Sequence, residues 1–278
     1  MLTVEIRHIT AAWFSGTGTT EKVVRSLAEQ LSACLGAPAE AFDWTTPDAR
    51  REERCFGPGE LVIWGVPTYA GRVPNVLLPY LTEKIRGSGA LAVPVVLFGN
   101  RNFDDALIEL RDLLEKDGFR TVAAAAFAGE HSFSRVLGRG RPDSADMTLL
   151  HAFAQKTAQK IAALQEAPPL PVAVAGQTPL RPYYTPRDRA GTPINILKVK
   201  PKTDMTKCTR CGLCASLCPM GSIDRNDPSL VTGICIKCCA CVKKCPAGAK
   251  YYDDPGYLYH QHELEEGYAR RAEPETFL

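Results

Sequence analysis

Two kinds of apolar pattern alternate from the start of the chain to about Glu166. Val23, Leu27, Leu31 and Leu35 recur every four positions, which predicts a helix with one buried face. Cys34 falls on that face and reads as a small buried side chain. Residues 9–14 form a short β-prone run before it. The unbroken apolar run LVIWGV at 61–66 predicts a strand covered on both faces. Residues 76–85 suit a helix, and LAVPVVLFG at 91–99 predicts another strand, with Pro94 leaving its start open. Leu107, Leu110 and Leu114 share one face of a helix over 104–117, and Gly118 follows as its C-cap. TVAAAAF at 121–127 is the last strand of the series. A helix over 143–165 turns Met147, Leu150, Ala154, Ile161 and Leu164 inward. Residues 39–43 are a weaker strand candidate. Strands alternating with helices imply an α/β fold, a parallel sheet covered by helices on both faces.

The rhythm stops at 167. From there to 201 the chain holds eight prolines and neither period. Such a segment is stiff and extended where a Gly/Ser linker would be flexible. It is either a tether or a strap along the first domain. Tyr183, Tyr184, Ile194, Ile196 and Leu197 offer apolar surface and favour the strap. The expected division is a first domain at 1–166, a proline-rich linker at 167–197, a small domain at 198–255, and a tail at 256–278 with no clear pattern.

Charge narrows the partners. With 33 basic and 31 acidic residues the formal charge is +2, which gives no footprint for nucleic acid. No apolar run is long enough to span a membrane. The opening residues lack a basic segment followed by an apolar stretch, so no signal peptide is expected and the cytoplasm is the default compartment.

The cysteines carry the most specific chemistry. Of 11, nine lie between Cys208 and Cys245. Cytosolic thiols stay reduced, so metal ligation is the leading reading. CTRCGLCASLCP begins at Cys208 and CIKCCACVKKCP at Cys235. Both fit C-x-x-C-x-x-C-x-x-x-C-P, so the second motif is an internal repeat of the first. A cubane iron–sulfur cluster takes four thiolates. Three close cysteines wrap one corner, and the fourth, before proline, reaches the other cluster. Cys208, Cys211, Cys214 and Cys245 then surround one centre, and Cys235, Cys238, Cys241 and Cys218 the other. Pro219 and Pro246 end the ligand turns, and Gly212 relieves crowding near the sulfides. Zinc is the competitor, but structural zinc sites use two C-x-x-C pairs or histidines. Residues 198–252 resemble the bacterial two-cluster ferredoxins. That resemblance implies two [4Fe–4S] clusters passing single electrons at low potential. Cys239 stands where such proteins commonly have a small residue, and it is the spare thiol.

WFSGTGTTEKV lies between the first strand and the first helix, where backbone N–H groups at a helix N-terminus face a phosphate. It is neither a Walker loop nor G-x-G-x-x-G. Ser15, Thr17, Thr19 and Thr20, with Gly16 and Gly18 between them, can satisfy a terminal phosphate without a cation. The pattern S-x-T-G-x-T is similar to the flavin mononucleotide loop of flavodoxins, over residues 4–166. The resemblance implies a flavodoxin-like sheet with FMN at its switch point. In that fold two further loops meet the flavin ring. In VPTYAGRVPN (Pro67, Thr68, Tyr69, Ala70, Gly71), Tyr69 either stacks on the ring or is a surface tyrosine. Ala70 or Gly71 can carry the peptide that bonds the protonated ring nitrogen. In GNRNFDDAL, the backbone from Gly99, Asn100 and Arg101 can read the polar edge. Phe103 either covers a face or begins the helix core. His131, in GEHSFSR, reads as a surface histidine.

Together the halves resemble the ferredoxin–flavodoxin fusion proteins of anaerobes. The expectation is an electron carrier relaying single electrons between two clusters and an FMN. The alternative is an FMN-dependent reductase of a small oxidant, such as a quinone or nitro compound. Its partners are redox proteins or a small-molecule acceptor. No nucleophile–base pair or paired carboxylates point to hydrolysis.

Overall fold

The computed structural model describes residues 4–278; the first three residues of the opening stretch read above for a signal peptide lie outside it. Strands β1 (His8–Trp13), β2 (Ala39–Asp43), β3 (Glu60–Pro67), β4 (Leu91–Phe98) and β5 (Ala124–Ala128) pair in parallel in the order β5-β4-β3-β1-β2. That 2-1-3-4-5 order is the flavodoxin-like arrangement of a doubly wound fold. Side chains alternate between faces along each strand, so the sheet feeds two cores. Ile9, Leu61, Ile63, Val93 and Val95 pack under α1 (Thr19–Leu35) and α4 (Ser144–Ala163). Ala12, Val62, Trp64, Val66 and Val96 pack on the other face, under α2 (Leu78–Lys84) and α3 (Ala106–Lys116).

Four sequence expectations change in detail. The run 121–127 is not one strand: residues 120–121 and β5 pair with β4 separately, with a break at Val122 and Ala123. Pro94 of β4 lies alongside that break, where its missing donor is not needed. The helix expected at 76–85 opens instead as a single 3₁₀ turn, Asn75–Leu77. Cys34 is exposed, because the last turn of α1, residues 32–35, contains no fully buried side chain. The patternless tail is ordered. It forms α7 (Pro255–Gly267) and then β6 (Glu275–Phe277), which pairs antiparallel with β5 and extends the sheet by one strand.

The proline-rich segment lies along the first domain. The Asp105 carboxylate accepts hydrogen bonds from the backbone N–H groups of Gln177 (2.9 Å) and Arg181 (2.7 Å). The Tyr183 hydroxyl donates to the Val73 carbonyl at 2.8 Å, and Val172 enters the core. The cysteine repeat folds as a repeat. Gly212 and Cys239, which hold equivalent places in the two motifs, both take left-handed φ (75° and 59°) as N-caps of the short helices α5 (Leu213–Ser216) and α6 (Ala240–Lys243). An antiparallel ladder, Lys202–Thr203 with Lys250–Tyr251, closes the unit.

Candidate iron–sulfur and flavin sites

The two cysteine sets expected from spacing line two separate cavities. Cys208, Cys211, Cys214 and Cys245 share one. Cys218, Cys235, Cys238 and Cys241 share the other, with Cys239 also in its wall. The fourth cysteine of each motif therefore faces the cavity begun by the other motif. It is held there by equivalent bonds: Ser222 N–H donates to Cys218 Sγ and Ala249 N–H to Cys245 Sγ, both at 3.3 Å. Burial pushes Cys241 upward and Cys238 up to about 12, so these buried thiols keep their protons unless a cationic centre displaces them. Burial also pushes Cys245 up, but backbone donors from Ala249, Ala247, Lys250 and Gly248 outweigh it and hold this thiol below its ordinary value. Among the described residues no three His, Cys, Asp or Glu side chains converge on a point that would hold one metal ion.

The flavin-site candidates gather at the carboxyl ends of β1, β3, β4 and β5. Ser15, Gly16, Thr17, Thr19, Thr20, Pro67, Thr68, Tyr69 and Gly99 line a small cavity over the N-terminus of α1. Ser15 Oγ accepts from Gly18 N–H (3.1 Å) and Glu21 N–H (3.2 Å), so it shapes the loop and has only its proton left to offer a ligand. Gly18 is the left-handed N-cap of α1 and does not line the cavity. The buried Thr68 hydroxyl has no hydrogen-bond partner among the described residues, an orphan that a ligand oxygen would satisfy. These groups fit a terminal phosphate and a polyol chain, as in FMN.

A second cavity, of about 770 Å³, adjoins the first through Thr68, Tyr69, Gly99, His131 and Ser132. Ala70, Gly71 and Arg101 line it, so the loop residues expected at the ring are brought together here. The carbonyls of the two peptides expected at the ring nitrogen are already bonded: Ala70 O accepts from Tyr184 N–H (2.9 Å) and Gly71 O from Asp105 N–H (3.0 Å).

Two of the residues expected at the ring lie away from the cavities. Asn100 lines neither cavity; its amide Nδ2 donates to the carbonyls of Tyr268 (2.8 Å) and Arg270 (2.7 Å), and its Oδ1 accepts from Ala272 N–H (3.2 Å). Phe103 is buried beside Phe98, with ring centroids 5.6 Å apart, and serves as the core residue rather than as a cover for the ring.

Some wall residues were not read from the sequence. His131 sits against Gly99, where any Cβ would overlap the imidazole. The clue was its place just beyond β5, at the same end of the sheet as the other loops. Its Nδ1 accepts from Phe133 N–H (3.1 Å), which leaves Nε2 as the N–H donor. Burial, then nearby His260, Lys243 and Arg101, lower its pKa to about 3. In the unfolded chain it protonates near 6.5. Its contribution to stability is therefore whole above pH 6.5 and is lost as pH falls toward 3. The melting temperature is expected to fall less steeply from pH 6.5 to 4 in His131→Asn than in the parent; equal slopes measured by thermal melts would refute this.

Tyr183, Tyr184 and Ile196 from the proline-rich segment, and Cys235, Ile236 and Lys237 from the second cysteine motif, also line the large cavity. The cysteine unit and the sheet are in direct contact. Cys238 is part of the wall of the small cavity, and a Cβ on Gly16 would lie 3.0 Å from its Cβ. Lys243 Nζ donates to Glu130 Oε1 at 2.6 Å and to His131 O at 2.7 Å, and Ser134 Oγ donates to Glu265 Oε1 at 2.6 Å.

Residues 201–224 match the family model of the 4Fe-4S binding domain. None of the curated proteins compared matches the chain. Among solved structures, a flavodoxin from the domain Archaea is 11% identical, with 56% of this chain and 99% of that one covered at a TM-score of 0.41. A mutant flavodoxin of Fusobacterium nucleatum bound to flavin mononucleotide is 17% identical (56% and 96% covered, TM-score 0.37). Rubredoxin oxygen:oxidoreductase from Desulfovibrio gigas is 19% identical, with 58% of this chain but 37% of that chain covered, at a TM-score of 0.41. No helix among the described residues is long and apolar enough to cross a membrane. By its own strand order and by the matched cysteine segment, the chain joins a flavodoxin-like α/β fold to a 4Fe-4S ferredoxin-type unit.

Proposed function

We propose that this chain is an electron-transfer protein that relays single electrons between two [4Fe–4S] clusters and an FMN. The observation that carries the reading is Cys238, which forms part of the wall of both the second cysteine cavity and the small cavity over α1. When bound, the clusters supply one-electron chemistry and the flavin accepts one or two electrons. The protein's part is placement. Cys208, Cys211, Cys214 and Cys245 hold the cluster farther from the flavin. Cys218, Cys235, Cys238 and Cys241 hold the nearer one. The loop from Ser15 to Thr20 and the Thr68 hydroxyl hold the phosphate and polyol, while Tyr69, Ala70, Gly71, Gly99 and Arg101 surround the ring. Exposed Cys211 marks the far site as the point of entry, whereas the near site is buried against the sheet. The Lys243–Glu130 bond ties the cysteine unit to the first domain, and Ser134–Glu265 ties the tail helix to it.

In the test, the reconstituted protein is reduced stepwise without oxygen while flavin absorbance and cluster electron paramagnetic resonance (EPR) are followed. Electrons placed on the clusters should reach the flavin at a rate independent of protein concentration. Reduced clusters beside an unresponsive flavin, or a rate that scales with concentration, refute the relay.

One observation favours the second reading, reduction of a small oxidant. The large cavity of about 770 Å³ lies at the upper end of small-ligand sites, and Phe103 does not close it. In that reading Tyr183, Tyr184 and His260 line the space for the acceptor.

A further inference from the structure

We infer that the Tyr252 hydroxyl raises the reduction potential of the cluster beside the flavin, with Tyr257 and Cys239 holding Tyr252 in place. The inference rests on the relay reading. Tyr252 Oη lies 3.5 Å from Cys235 Sγ. With Cys235 a thiolate on iron, the phenol is the donor. A hydrogen bond to a ligand sulfur stabilises the more negative, reduced cluster and so raises its potential. Tyr252 stacks on Tyr257 with ring centroids 4.2 Å apart and planes 17° from parallel. Tyr257 is buried, and its hydroxyl lies 3.3 Å from Cys239 Sγ. Cys239 in turn donates to the Lys237 carbonyl at 3.3 Å. The spare thiol thus has a task, to orient a phenol that braces a second phenol.

The repeat supplies the comparison. Cys239 has φ 59°, a conformation that suits glycine, and its counterpart in the first motif is Gly212. A cysteine is kept where the first motif uses the residue best suited to that backbone. The counterpart of Tyr252 is Arg225, which is exposed. Among the described residues no side-chain hydroxyl bonds to Cys208, Cys211, Cys214 or Cys245. The Ser222 and Ala249 bonds correspond in the two sites, and Cys245 of the distal site takes further backbone donors; the phenols are present at the proximal site only. The phenol therefore tunes the cluster beside the flavin without acting on the distal one.

The test is an EPR-monitored potential titration of the full chain, wild type against Tyr252→Phe and Cys239→Gly. The Cys211→Ala and Cys238→Ala proteins assign each signal to its cluster. In Tyr252→Phe the reduced-to-oxidised ratio of the proximal cluster at a fixed potential should fall about fivefold, with the distal cluster unmoved. Cys239→Gly should move the same signal the same way, by less. If both proteins hold two full clusters, by iron and acid-labile sulfide, and their potentials match those of the wild type or move together, this inference is overturned and the relay stands. A wild-type chain that does not assemble two clusters overturns both.

Discussion

Replacing Cys245 with alanine is expected to abolish the cluster that begins at Cys208, not the one formed by its own neighbours. Iron and acid-labile sulfide should fall by about half. The residual spectrum should match that of Cys211→Ala. Cys218→Ala and Cys238→Ala should leave the complementary spectrum, and Cys239→Ala should keep both clusters. The reason is geometric. Three cysteines at C-x-x-C-x-x-C spacing turn around one corner of a cavity. The fourth sits beyond a short helix, and there the N–H of Ala249 or Ser222 holds its sulfur against the other cavity. The four ligand variants form a closed set. If Cys245→Ala and Cys238→Ala leave the same spectrum, ligation is local to each motif and the crossed scheme is wrong. Variants of the near site should also uncouple the flavin, because Cys238 stands between the two kinds of site.

Asn100→Ala is expected to lower stability by about 3 kcal/mol while leaving the affinity of the folded protein for FMN within about threefold. The side chain is 3% exposed and bonds to three backbone groups of the segment 268–272. Its removal strands two carbonyls and an N–H, each costing about 1 kcal/mol or more when buried. It also places alanine at φ 66°, which asparagine tolerates better. The segment leads into β6, so its loosening should also weaken the sheet edge. The apparent melting temperature should drop by about 10 °C. A variant that melts normally but binds FMN more than tenfold weaker would mean that Asn100 touches the flavin after all.

Asn100 shows where sequence reasoning reaches its limit. The loop GNRNFDDAL is correctly placed at the carboxyl end of β4, and Gly99 and Arg101 do line the crevice. Left-handed φ at Asn100 turns its amide away, toward Tyr268 and Arg270 in the far tail of the chain. Phe103 has the same ambiguity, and the core claims it. His131 reads as a surface residue because nothing local signals that Gly99 will admit its ring or that Lys243 will bond its carbonyl. The proline-rich stretch offers tyrosines, but its course depends on Asp105, a residue of the α3 N-terminus, accepting two of its amides.

What the sequence by itself determined is set by short-range geometry. The four-residue apolar period made the helices, and the apolar runs made strands buried on both faces. The cysteine spacings predicted two crossed fours, because a turn of that length can reach only one corner, and those fours line two separate cavities. The hydroxyl-rich turn followed its strand directly, which put it at a helix N-terminus. Tertiary structure alone decided everything that needs residues far apart in the chain. It brought Cys238 against Gly16, ran the tail back as β6, and stacked Tyr252 on Tyr257 beside Cys235. No local period encodes such contacts, since each depends on which surfaces remain exposed after the sheet and the cysteine unit have each buried their own apolar faces.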